Sequence, residues 1–446
     1  MSSAAPRRGP APWLRASRVL VVLVALALGA LALAWRPVID PVDPPAASAF
    51  APELVRRGAQ LAGVGNCAAC HTRPEGPSLA GGVALSTPFG VVYGTNITPE
   101  PETGIGRWSE AAFVRAMRRG VDREGRHLYP AFPYDHFVRT ADEDLHALYA
   151  YLMTRDAVRA PAPENRLLFP LGFRPLIAGW KLLFLDTEPL APNPRSSAEW
   201  NRGAYLVQSL GHCSSCHSPR EVLGNEDRVR YLDGGDAEGW TVPALNVKSP
   251  SPLPWNVEQL VSYLRTGIAR DHAIAGGPMQ GVVAGLATAS AADVLAIAVY
   301  IDSTLGSPTP SRQDLAKASR ARASQPTLPP AVGPGDATLA LGSNVYAHAC
   351  AACHDAGRGP SSSSALQLPL AVAVHDPDPR SLIRIVLGGI RPIDANAGRW
   401  MPAFGDALTD EQLVALLAYL RRAAAGAPPW PDVAARVREV RTEPPA

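Results

Sequence analysis

Apolar positions recur at helical spacing in three matched places along the chain. The stretches "DLHALYAYL" (144–152), "DVLAIAVYI" (293–301) and "QLVALLAYL" (412–420) share one stripe of leucine or valine, alanine, leucine or isoleucine, and tyrosine. That period buries one face of a helix. Asp142 and Asp144, and Thr409 with Asp410 and Glu411, stand at the starts, where capping and the helix dipole favour them. A second matched set, "AFVRAMRRG", "QLVSYLRTG" and "SLIRIVLGG", ends each time at a glycine: Gly120, Gly267 and Gly389. A glycine just past a helix can take the left-handed conformation that closes it. A third set, "RRGAQLAGVGNCAACH", "NRGAYLVQSLGHCSSCH" and "LGSNVYAHACAACH", precedes them in each copy. An opening, a middle and a closing helix therefore repeat three times, at a domain-sized period.

This repeat divides the chain. The first unit covers 50–190, the second 195–312 and the third 335–425, with 426–446 as a C-terminal tail. Residues 313–334 are rich in proline, alanine and serine and read as a linker. The stretch 169–185, "FPLGFRPLIAGWKLLFL", is unusually apolar for a connection. It suits a membrane surface, a partner subunit or a buried join between domains.

The N-terminus carries a different signal. Residues 19–35 form an uncharged apolar run, preceded over 1–18 by Arg7, Arg8, Arg15 and Arg18. As a helix the run spans roughly 25 Å, near the lower limit for crossing a bilayer. The positive-inside rule keeps the basic end cytoplasmic and exports the rest. An uncleaved anchor is the preferred reading; a signal peptide cleaved near "ALA" at 32–34 is the rival.

Charge adds little. The net charge of +2 gives no reason to expect a nucleic-acid partner. The basic run at 107–126, six arginines against three acids, is read as a solvated helix face.

Cysteine usage is decisive. The six cysteines, Cys67, Cys70, Cys213, Cys216, Cys350 and Cys353, all fall in "CAACH", "CSSCH" and "CAACH". Cys-x-x-Cys-His is the attachment signature of c-type haem. The thiols form thioethers, and the adjacent histidine becomes the proximal iron ligand. Three copies that use every cysteine argue against zinc binding or redox thiols. The expectation is three covalently bound haems c with His71, His217 and His354 as proximal ligands.

The opposite ligand of such a haem is usually methionine. Met279 lies twelve residues after Gly267, and Met401 twelve after Gly389. Both are candidate axial ligands. The same count from Gly120 reaches Phe132, so the first unit lacks the sulfur. His136, four residues on, is the tentative sixth ligand of the first haem. An open iron and His127 are the alternatives.

The stretches "GTNITPEPETGIGRWS", "HLYPAFPYDHF", "CHSPR" and "GPM" resemble the triheme cytochrome c subunits of membrane-bound periplasmic dehydrogenases. The resemblance covers most of residues 50–425. It implies a mostly α fold of three tandem class I cytochrome c-like domains after the N-terminal transmembrane helix. It also implies a place on the inner membrane with the haem domains in the periplasm. The chain would not be an enzyme on its own. It would pass electrons from a catalytic dehydrogenase subunit to ubiquinone or another redox carrier. Relatives serve quinoprotein alcohol dehydrogenases, flavin gluconate or sorbitol dehydrogenases, and molybdenum hydroxylases of the nicotinate, isoquinoline or aldehyde type. Phe132, where the alcohol branch has methionine, favours the molybdenum branch. A haem peroxidase using an open first iron is the rival from another class.

Overall fold

In each repeat the stripes of the opening and closing helices face one another. Pro52–Val64 packs against Asp142–Met153, Ala198–Gln208 against Ala291–Leu305, and Ala337–Ala349 against Asp410–Ala423. The computed structural model describes residues 34–329, 336–355, 366–391 and 401–443, and before them 20–22, 24, 25, 28, 29, 31 and 32. One glycine per unit makes each crossing possible. A Cβ built on Gly58 would lie 1.9 Å from Ala147 O, on Gly203 1.9 Å from Ala296 O, and on Gly342 2.0 Å from Ala415 O. The matched tyrosines Tyr151, Tyr300 and Tyr419 wall the same three contacts.

The middle helices are Glu110–Arg119, Val257–Thr266 and Arg380–Gly388. Ser109 and Asn256 cap the first two through side-chain oxygens that accept from Ala112 N and Gln259 N. Gly120 and Gly267 close them in the left-handed region, as the pattern predicts. Gly389 has positive φ but an extended ψ, so the third middle helix closes differently. Small antiparallel ladders decorate the first two units. Ala84–Thr87 pairs with Gly90–Tyr93, which also pairs with Arg166–Leu167, and Gly235–Ala237 pairs with Trp240–Val242.

Two cores result. Units one and two share one continuous apolar cluster that includes Leu61, Leu145, Leu206 and Val294. Unit three has its own, around Val345, Ile383, Leu413 and Leu417.

Two expectations change. The linker is not irregular: Pro310–Ala323 is a helix, capped by Thr309 with proline at its start, and its alanines, arginines and lysine favour that state. It runs against the short turn Leu368–Leu370 of unit three. The tail 426–446 is no loose end, since Trp430, Val437 and Val440 are buried in the third core. Among the described residues no helix is long and apolar enough to cross a membrane. The basic stretch 1–18 and part of the 19–35 run lie outside the described residues; those described between 20 and 34 are helical.

Candidate haem-binding sites

Each Cys-x-x-Cys-His motif forms a single helical turn: Cys67–His71, Ser214–His217 after Cys213, and Ala351–His354 after Cys350. Asn66 and His212, each just before the first cysteine, have positive φ and turn the chain sharply from opening helix into motif. The six cysteines form no disulfide. Burial pushes the thiols of Cys67 and Cys213 up to about 12. Such surroundings disfavour a thiolate and suit an uncharged thioether.

The histidines carry the clearest geometry. His71 Nδ1 donates to Thr95 O at 2.6 Å, His217 Nδ1 to Pro243 O at 2.7 Å, and His354 Nδ1 to Leu366 O at 2.9 Å. A carbonyl can only accept, so the proton sits on Nδ1 and the Nε2 lone pair is left free. Backbone support of this kind fixes the tautomer and orientation of a metal-binding histidine. Burial lowers the pKa of all three, His217 to about 4, and so keeps each ring neutral. The acceptors were not legible in the sequence, because a carbonyl carries no side-chain signal. Two of them follow the ladders: Thr95 lies just past Gly90–Tyr93, and Pro243 directly follows Trp240–Val242.

The loops opposite repay comparison. After Gly120, Val121 bridges His127 and Leu128 N donates to Gly120 O; after Gly267, Ile268 pairs with Ile274 and Ala275 N donates to Gly267 O. Phe132 and Met279 each lie four residues beyond, so the hairpin register puts them at equivalent positions. In unit three Ile390 pairs directly with Met401. The shared count of twelve therefore arises there from a longer loop, and residues 392–400 lie outside the described residues. Met401 packs on the third core.

Two orphaned polar atoms test the fit of a haem. Trp240 Nε1 is buried without a partner and lies against Gly277, two residues before Met279. Tyr134 Oη is likewise buried and unpartnered, two residues after Phe132. Each is a donor beside a ligand loop that the polypeptide leaves unused, as a propionate-bearing macrocycle requires. The residues present fit haem c.

His136 lies where the first two units meet. Its Nε2 lies 2.6 Å from Glu226 Oε1 and its Nδ1 3.4 Å from Gln208 O, both in unit two. Both ring nitrogens of His136 are therefore engaged within the protein. His127 is also occupied: Nε2 donates to Ala34 O at 2.8 Å and Nδ1 accepts from Lys181 Nζ at 3.0 Å.

Units one and two meet tightly around their motifs. Gly63 and Gly285 are in mutual backbone contact, and His212 Nε2 lies 3.4 Å from Gly65 O. Burial, then the charges of Glu238 and Cys216, push Cys70 up to about 11, so the first two motifs are neighbours. Four charges interlock alongside. Arg57 reaches Asp293 at 2.5 Å and Asp144 at 3.3 Å; Arg202 reaches Asp293 at 2.8 Å and Asp144 at 3.2 Å. Here a sequence signal existed. Arg57 and Arg202 both precede the crossing glycine, and Asp144 and Asp293 both open the closing stripe. Unit three has Leu341 and Gln412 there. It contacts unit two elsewhere, through Arg380 to Asp236 at 2.5 Å, Arg384 Nε to Gly239 O at 2.8 Å and Ser381 to Thr241.

The opening-by-closing helix crossing, the motif turn between and the half-buried neutral histidine define a cytochrome c unit. The cytochrome c family model matches residues 55–156, and that of cytochrome c oxidase, cbb3-type, subunit III matches residues 337–420. The chain is 45% identical to a nicotinate dehydrogenase subunit of Pseudomonas putida over 99% of its own length, and spans 36% of that protein. It is 35% identical to the fructose dehydrogenase cytochrome subunit of Gluconobacter japonicus, covering 85% of this chain and 81% of the relative. It is 38% identical to the gluconate 2-dehydrogenase cytochrome c subunit of Pantoea cypripedii, covering 82% and 85%. The chain belongs to the family of cytochrome c subunits of dehydrogenases.

Proposed function

We propose that the chain is a three-haem electron-transfer subunit of a membrane-bound dehydrogenase, and not itself the catalyst. The observation that carries this reading is the threefold recurrence of a half-buried histidine holding Nδ1–H on a backbone carbonyl. Bound haem c supplies a one-electron carrier. The polypeptide supplies thioether attachment at each cysteine pair, proximal ligation by His71, His217 and His354, and distal ligation by Met279 and Met401. Electrons enter from a separate catalytic subunit and leave to ubiquinone or another respiratory carrier, with the haem units held in the periplasm by the 19–35 run.

Similarity to a nicotinate dehydrogenase subunit across nearly the whole chain, together with Phe132, supports a molybdenum hydroxylase as the partner. The alternative, a quinoprotein alcohol or flavin sugar dehydrogenase, is supported by relatives at lower identity. Co-purification from the native membrane decides between them.

The haem count is tested by pyridine haemochrome against protein mass. Three haems per chain are expected; two or fewer in fully matured protein would overturn the reading. Met279→Ala and Met401→Ala should each lower the potential of one haem while all three stay attached. Unchanged redox titrations in both variants would remove these methionines from the iron.

A second reading has one observation behind it: with Phe132 at the ligand position and His136 engaged by Glu226, neither offers the first iron a ligand. That suits a haem enzyme open to a small substrate. The reduced protein should be exposed to carbon monoxide, and the oxidised protein to peroxide. Electron transfer alone predicts no peroxide turnover, whereas turnover at the first haem would favour the enzyme.

A further inference from the structure

The helix Leu176–Phe184 is inside out. Its buried face carries Ile177, Ala178 and the charged Lys181, while Leu176, Gly179, Leu182 and Leu183 face outward at helical spacing. Leu182 is 78% exposed and Leu183 73%, and Phe169 just before the helix is 99% exposed. A helix facing water has the opposite arrangement. We propose that this face rests on a lipid surface as a second membrane contact, separate from the 19–35 run; the proposal deepens the membrane-tethered reading above.

Three observations favour lipid over protein as the occupant. First, the helix is tied through its buried side to the end of the N-terminal apolar segment. Lys181 Nζ donates to His127, and His127 donates to Ala34 O, so one buried relay ties this helix to the end of that segment. The described residues there are apolar and exposed, Leu28 and Leu31 among them. Second, no acidic residue occurs between Asn165 and Leu185, while the exposed Arg166 and half-buried Arg174 do. That bias suits anionic headgroups. Third, Trp35 beside Ala34 and Trp180 on the helix are placed as interfacial anchors are, with an apolar body and a polar edge. Lys181 also donates to Arg119 O and Gly120 O at 2.6 Å, which holds the helix to the end of the first middle helix. Contact with lipid therefore positions the loop that carries Phe132 and Tyr134, against which Trp180 packs at 6.2 Å.

The full haem-loaded chain is reconstituted into phosphatidylcholine–phosphatidylglycerol vesicles that contain a lipid with a photoactivatable acyl chain. Peptides cross-linked to lipid are identified by mass spectrometry. Cross-links within 168–185 as well as 19–35 are expected. In parallel, Leu182→Cys is treated with a charged maleimide, with Glu411→Cys as the water-facing control. Labelling at 182 should be several-fold slower than at 411. Cross-links confined to 19–35, with fast labelling at 182, would overturn the lipid contact and leave the tether intact. Slow labelling at 182 without lipid cross-links would mean a protein cover, which also overturns it. Absence of cross-links from 19–35 alone would remove the tether and not this face.

Discussion

A Gly342→Val chain is expected to lose one haem and keep two. Valine at this position puts carbon where the Ala415 carbonyl now stands, 2.0 Å from an added Cβ. The opening and closing helices of unit three can relieve that only by parting. Overpacking of this kind costs about 1–3 kcal/mol, and more where backbone is the obstacle. Once the pair separates, the turn that carries His354 loses the core it rests on. Units one and two are spared because their core is separate. Gly203→Val makes the contrasting case. Its crossing lies in the shared core, so the first and second haems should both be depleted while the third survives. Haem per chain, measured by pyridine haemochrome and by intact mass, reads both outcomes. A Gly342→Val protein with three haems and unaltered melting would show that the crossing tolerates a side chain and that the steric account is wrong.

Asp293→Asn is the second expected large effect. Asp293 is nearly buried, with its side chain 7% exposed, and is shared by Arg57 and Arg202. Removing its charge leaves two guanidinium groups facing Asp144 alone. Breaking a buried pair costs roughly 3–5 kcal/mol. The arginines are about a third exposed, which screens the loss to roughly 1–3 kcal/mol. Asp293→Asn with Asp144→Asn should cost more than either alone, because the four groups share partners. Thermal melting followed in the haem absorbance of units one and two gives the number. Gln412→Glu, at the matching position of unit three, keeps the acceptor for Thr409 N and should leave melting nearly unchanged. If Asp293→Asn melts like the parent chain, the ionic lock contributes nothing.

The two variants mark where sequence reading succeeds and where it stops. The crossings are local pattern repeated, so the stripes ending in Tyr151, Tyr300 and Tyr419 and the glycines at 120 and 267 could be read directly. The histidines could be read because the motif is covalent chemistry written in one pentapeptide. What failed was contact between distant segments. Asp144 reads as a helix-dipole residue, yet it bridges two units. His136 reads as a spare ligand, yet Glu226, 90 positions later, takes its Nε2. The equal counts to Met279 and Met401 look like one loop repeated, yet the pairing after Gly389 differs. The helix in the linker was missed for a local reason: the segment was read from its proline, alanine and serine content and not from its helix-forming run of alanine, arginine and lysine.

The exchange of partners between Arg57 and Asp293 on one side, and Arg202 and Asp144 on the other, is the signature of an isologous contact. Units one and two are joined as two copies of a protein are in a twofold dimer, here within one chain. A symmetric pair of carriers has no intrinsic polarity: each iron would have the same potential, and an electron would move either way equally well. Whatever direction this pair imposes must come from residues that break the symmetry. Under the proposed ligation by Met279, Phe132 at the matching position is one such residue, and the missing sulfur then sets one half of the pair apart from the other.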